Sequence, residues 1–188
     1  MTKVPEDEFE NFRNKSALIR HANGSDAINM SPHPQHTQYF LKHKREIFRE
    51  FSFKEEIKSA VERLFKDVRE TFAASNSNIT DVNLTFIGVH NRRTDYKIAL
   101  DHMIKGKLVS AEFFRSAMDV YKKRYGRGTV FIFASDDFRW TEQNFGDRPE
   151  VFSTHKYYNL YRDKVALDMV ALASCDHSIF RWDSEFAI

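Results

Sequence analysis

Two adjacent arginines, Arg92 and Arg93, follow an apolar run, Leu84-Thr-Phe-Ile-Gly-Val89, with His90 just before them and Asp95 just after. A guanidinium stays charged at any working pH, and its planar fork of N–H donors matches two phosphate oxygens at once. On an open surface such a pair would be an ordinary solvated charge cluster. At the end of a buried strand it suits a phosphate-bearing ligand. A second polar group, Ser135-Asp-Asp-Phe-Arg-Trp140, follows a second apolar run, Thr129–Ala134, and a third acidic position, Asp168, lies in an apolar helical pattern near the C-terminus. These groups form one site only if the strands run parallel and end at one edge.

The pattern along the chain predicts that arrangement. Residues 1–38 are polar, carry the Ser31-Pro-His-Pro34 breaker and show no periodicity, so an extended segment is expected there. From Phe40 to Phe72 apolar residues recur at three- and four-residue steps, the helical period. Ser52 offers an N-cap to a second helix whose first turn carries Glu55 and Glu56. Then the elements alternate. A strand is expected at 84–90, a helix from Ser110 to Tyr125 closed by Gly126, and a strand at 129–134. A short strand at 151–152, a helix at 163–174 and a strand at 177–180 complete the series. Strand, helix, strand, helix, strand is the signature of an α/β fold with a parallel sheet, whose ligands sit outside the carboxyl ends of the strands.

Composition removes several alternatives. The 29 Lys and Arg nearly balance the 27 Asp and Glu, so no global field draws the chain to nucleic acid, and no nucleic-acid partner is expected. No apolar run approaches the roughly 20 residues of a membrane span. The opening, Met1-Thr-Lys-Val-Pro-Glu-Asp-Glu-Phe-Glu10, lacks the apolar core of a signal peptide. A single Cys175 excludes an intrachain disulfide and a cysteine-based zinc site, and reads as a small hydrophobe. His33 and His36 have the spacing of a metal pair, with His43 and His102 elsewhere, but no third ligand is evident and no metal is expected. Asp136-Asp137 lacks the intervening residue of an Asp-x-Asp metal motif. Lys122-Lys-Arg124 is expected to sit at a helix C-terminus, where the dipole favours cations. Trp140 and Trp182 are assigned to core packing in preference to ligand stacking. Five Asn-x-Ser/Thr sequons, at Asn14, Asn23, Asn29, Asn78 and Asn83, lie in the first 85 residues, with Pro32 weakening the third. Such clustering points to a glycoprotein of the secretory lumen.

The stretch Gly88-Val-His-Asn-Arg-Arg-Thr-Asp-Tyr96 resembles the His-x-Arg-Arg-x-Asp signature of the GDP-fucose-dependent fucosyltransferases. With the later blocks it is most similar to the galactoside α1,2-fucosyltransferases of glycosyltransferase family 11. Residues 111–144 resemble that family's helix, strand and Ser-x-Asp/Asn-x-x-Trp turn, and residues 163–177 its Asp-x-x-Leu-x-x-x-Cys-Asn/Asp-His block. The resemblance covers roughly residues 35–188. Thr94 replaces a glycine common in family 11, and is usual in the related α1,6 enzymes. The family's closing segment is matched only by Asp183-Ser-Glu-Phe-Ala-Ile188, and a membrane anchor is not seen, so the chain is expected to be incomplete at both ends.

The resemblance implies the Rossmann-like donor half of a GT-B-type glycosyltransferase. It divides the chain into an extended segment at 1–38, a helical remnant of the acceptor half at 39–80 and a GDP-fucose-binding domain at 81–188. It implies an inverting, metal-independent transfer of L-fucose from GDP-β-L-fucose to a galactose-terminated glycan in α1,2 linkage, in the Golgi lumen, with no cofactor. Arg92 is the catalytic expectation, gripping the β-phosphate; His90, Arg93, Asp168 and Ser184 are expected at the donor. Asp95 is expected to fix the Arg92 guanidinium, in preference to acting as a base, and Asp101 is a weaker match for an acid. Two alternatives stay open: a pseudo-enzyme that binds GDP-fucose or glycan without turnover, and a fucosyltransferase of other linkage, α1,6 or protein O-fucosyl.

Overall fold

A computed structural model describes residues 41–75, 83–98 and 107–180. The chain divides into two compact units, residues 1–52 with the terminal residue, and residues 53–187. In the first, the described residues form helix α1 (Lys44–Glu50), which ends where Phe51 N–H closes on Ile47 O at 2.9 Å and buries none of its side chains.

The second unit opens with α2 (Glu55–Ser75). The helix starts two residues later than a Ser52 cap would place it, and Phe53, just ahead of it, lines with Val61, Phe65 and Phe86 one cavity of about 500 Å³. Strand β1 (Thr85–Asn91) follows, then α3 (Ala111–Tyr125) and β2 (Thr129–Ser135). Ser110 caps α3 by accepting from Phe113 N–H, and Gly126, at φ +77°, ends it in a conformation other residues adopt only with strain. Helix α4 (Phe138–Phe145), capped by Asp137, occupies a stretch expected to be a turn. Strand β3 (Val151–Ser153), a 3₁₀ turn at Thr154–Tyr157, α5 (Lys164–Ala173, capped by Asp163) and β4 (His177–Ile179) complete the order.

All described strand pairs are parallel, in the order β3-β2-β1-β4. The α/β fold class read from the sequence is therefore the one observed. Alternate residues of β1 and β2 face opposite helical layers, as the two-residue period requires. Phe86, Val130 and Ile132 pack with Leu64, Phe65 and Val68 of α2 and Leu167 and Val170 of α5. Ile87, Val89, Phe131 and Phe133 pack with Phe114 and Met118 of α3 and Phe145 of α4. The helix α2 thus supplies core to the same unit as the sheet. Gly88 allows α5 to lie close: a Cβ there would sit 3.0 Å from Leu172 Cδ2 and 3.4 Å from Cys175 Sγ. Burial pushes that thiol up to about 12, so Cys175 is an inert packing group. No helix among the described residues is long and apolar enough to cross a membrane.

Candidate functional site

Strand order reverses at β1: β2 and β3 lie on one side, and the chain crosses over to place β4 on the other. The carboxyl end of a strand at such a switch point opens into a crevice. Here that end is His90-Asn91, running directly into Arg92 and Arg93. The sequence expectation that the strand ends share an edge is met by the register, which pairs His90 with Ala134 and Asn91 with Ser135.

The two arginines are held very differently. Arg92 presents one edge of its guanidinium to Asp95, Nε donating to Oδ1 at 3.0 Å and Nη2 to Oδ2 at 2.6 Å. That bond, with burial opposing it weakly, holds the Asp95 carboxyl below the usual range. The Arg92 side chain is 37% exposed and Asp95 62%. Arg93, only 14% exposed, is tucked beneath the loop. Its Nη1 donates to Val109 O at 2.9 Å, its guanidinium stacks 3.9 Å from the Trp140 ring centre, and Nε lies 3.9 Å from Asp137 Oδ2. Trp140 packs on the core from its other side, so it serves as both core and platform.

The loop backbone is held from β2. Asp136 Oδ1 accepts from Arg93 N–H at 2.7 Å, and Oδ2 accepts from Thr94 N–H at 3.0 Å and from the Thr94 hydroxyl. Buried Ser135 donates to Asn91 O at 2.6 Å and accepts from Asp137 N–H at 3.1 Å, joining the two strand ends. Two guanidinium charges therefore meet three carboxylates, Asp95, Asp136 and Asp137. The loop is not a bare basic patch, and the sequence reading missed the last two. Their contribution rests on neighbours more than 40 residues away, and the only local trace was the acidic pair after an apolar run.

His90 faces the α2–α5 side, its ring 6.0 Å from that of Phe180. Burial lowers its pKa, with Asp136 pulling up and Arg92 down, so a neutral imidazole prevails at pH 7. On the same side Tyr158, after β3, donates to Asp168 Oδ2 at 2.8 Å. Burial pushes the Asp168 carboxyl up, against the hydroxyls of Thr154 and Tyr158 and the charge of His155. Asp168 Oδ1 and Asn91 Nδ2 are the buried side-chain polar atoms without a partner among the described residues. Both lie toward the carboxyl edge, where a ligand with complementary groups would satisfy them. Asn83 is exposed. Ser184, Asp101, Asn14, Asn23, Asn29, Asn78 and Trp182 lie outside the described residues, as do His33, His36 and His102, and among the described residues no cluster of metal-ligating side chains forms.

With that geometry in view, the family model "Glycosyl transferase family 11" matches residues 6–188. The chain belongs to glycosyl transferase family 11. Among family-11 relatives, galactoside alpha-(1,2)-fucosyltransferase 2 of Sus scrofa is 24% identical over 161 residues, covering 85% of this chain and 44% of the relative. Galactoside alpha-(1,2)-fucosyltransferase 1 of Oryctolagus cuniculus is 27% identical over 142 residues, covering 74% of this chain and 35% of the relative. This family-11 chain thus spans less than half the length of those curated relatives. The crystal structure of the fucosyltransferase NodZ from Bradyrhizobium superposes with a TM-score of 0.51 at 20% identity, over 99% of this chain and 58% of that one, a likeness of fold.

Proposed function

We propose that this chain is the donor-binding part of a fucosyltransferase, holding GDP-β-L-fucose at the carboxyl edge of the sheet and passing L-fucose to the 2-hydroxyl of a galactose-terminated glycan. The observation that carries the reading is the His90–Asp95 loop at the switch point, with its backbone fixed by Asp136 and one guanidinium oriented by Asp95. In the proposed reaction the bond from the anomeric carbon to the β-phosphate oxygen breaks, and GDP leaves with the electron pair. The acceptor oxygen bonds to that carbon from the opposite face and loses its proton, which inverts the centre. Charge grows on the departing phosphate, and Arg92 is the group we assign to meet it. A donor already aimed at that charge needs no reorganisation, and removing one such donor costs roughly 2.7–4 kcal/mol of barrier.

On this reading His90 and Asp168 face the guanine side. A carboxylate accepts from the N–H groups of that base, and Asp168 Oδ1, without a partner among the described residues, is suited to do so. Ser184 is assigned to phosphate by family resemblance alone. Transfer is proposed to need no metal and to occur in the Golgi lumen, with Asn83 among the glycosylated positions.

The test is release of GDP from GDP-fucose with lactose as acceptor, in EDTA, with the product linkage read by NMR. Transfer in EDTA with a fucosyl-α1,2-galactose product is the expected result. A strict divalent-metal requirement or another linkage would overturn the corresponding part. GDP binding without release in any acceptor would favour the pseudo-enzyme.

A further inference from the structure

We propose that Asp136 is the positioning residue of the arginine loop: its carboxylate clamps the backbone of Arg93 and Thr94 and so sets where Arg92 stands. Three hydrogen bonds converge on one side chain, two from consecutive peptide N–H groups and one from the Thr94 hydroxyl. An acid beside a phosphate site is unfavourable unless its charge is engaged. Here both oxygens are directed at peptide donors, and each bond is charge-assisted. The clamp also joins two chain ends that no ladder bond holds, since β1 finishes at Asn91 and β2 at Ser135. Immediately below, Ser135 ties Asn91 O to Asp137 N–H, so two successive side chains of the β2 end, Ser135 and Asp136, grip the loop. Without Asp136, Arg93 would still be anchored through Val109 and Trp140. The peptide that turns the chain from Arg93 toward Asp95 would then rest on the 3.2 Å bond from Lys97 N–H to Arg93 O. Arg92 would keep its charge and its carboxylate partner but lose a fixed origin.

The effect on ligand rests on the nucleotide reading above; the clamp itself does not. The experiment follows two quantities in the full chain and in Asp136→Asn and Asp136→Ala: GDP affinity by calorimetry, and hydrogen exchange of the Arg93 and Thr94 amides by NMR. Asparagine keeps the shape but turns an NH₂ against one of the two amides. Asp136 is exposed to solvent, which tempers the effect. The expected result for Asp136→Asn is about a tenfold weaker GDP affinity, the scale of one lost charge-assisted bond. Arg93 and Thr94 should exchange faster, while the Phe131 and Phe133 amides of β2 stay protected. Asp136→Ala should be weaker still. If its core amides lose protection, Asp136→Asn and Thr94→Val decide in its place, the latter keeping both peptide bonds and falling only about two- to threefold. Wild-type affinity in Asp136→Asn, or unaltered exchange at Arg93 and Thr94, overturns the proposal. If the parent chain binds no GDP, the nucleotide reading fails, and the exchange rates still decide whether the clamp exists.

Discussion

At the amino ends of the strands, Asp176 accepts from Phe86 N–H at 2.8 Å, Lys122 closes on Glu150 at 2.7 Å, and His177 stacks on Tyr125 with ring centres 4.8 Å apart. At the carboxyl ends the same residue types appear in Asp136, Arg92, His90 and Asp168. There the buried polar atoms without described partners collect, and one carboxylate is pushed up by burial. The amino end is arranged for its own stability. The carboxyl end holds two buried polar atoms, Asn91 Nδ2 and Asp168 Oδ1, without a partner among the described residues, the kind of group a ligand can satisfy.

The contrast is most exposed to a change at Arg92. Arg92→Ala should lower transfer by about a hundredfold or more, the loss of one preorganised donor, with little change in melting temperature. Arg92→Lys should fall short of wild type in both GDP affinity and transfer, because an ammonium lacks the fork. Equal activity of the parent and Arg92→Lys would reduce Arg92 to a surface charge.

Arg93→Lys comes next. Lysine cannot stack flat on Trp140 while reaching Val109 O, so a drop of roughly tenfold in GDP affinity is expected, smaller than that of Arg92→Ala. The reverse order would mean that the buried arginine, not the exposed one, meets the phosphate.

Opposite responses to neutralising an acid sharpen the comparison further. Burial pushes Glu150 up, but the Lys122 bond, its backbone contact and the charges of Lys122 and Arg148 outweigh this and leave it below the usual carboxylate value. A depressed folded-state pKa gives stability that is present above the unfolded value and lost as pH falls through the folded one. Glu150→Gln should therefore melt lower at pH 7, by about 1 kcal/mol at most, with GDP affinity unchanged. Asp168 is the reverse case. Its raised pKa makes the ionised form a burden at neutral pH, relieved as pH falls through the folded value. Asp168→Asn should melt slightly higher at pH 7 and bind GDP less well. Melting curves from pH 4 to 8 for both variants check the pair; the same sign in both would erase the distinction between the ends.

Much of this was legible from local chemistry. Ser110 and Gly126 bracket α3, and Asp163 caps α5, because caps act within one turn of chain. The buried strands were visible as apolar runs of strand length. Helix α4 was not, since eight residues with only Thr141 and Phe145 buried give too short a period to read. The start of α2 escaped for another reason: Glu55 and Glu56 suit a first helical turn as well as Ser52 suits a cap, and the helix begins at the acids. In the site, Arg92 and Asp95 are three residues apart and could be paired on paper. Asp136 with Arg93 and Tyr158 with Asp168 are created by the sheet and the packing of α5, and no spacing announces them.

The Ser135 hydroxyl, linking Asn91 O to Asp137 N–H, carries a consequence for how such sites can be transplanted or diversified. A designer who grafts residues 90–95 alone onto another parallel sheet would move the arginines without the strand end that tethers them. The portable module is two segments, 90–95 and 135–140, on adjacent strands in fixed register. Variation that alters the reach of one segment must be matched in the other, so the loops diverge as a couple.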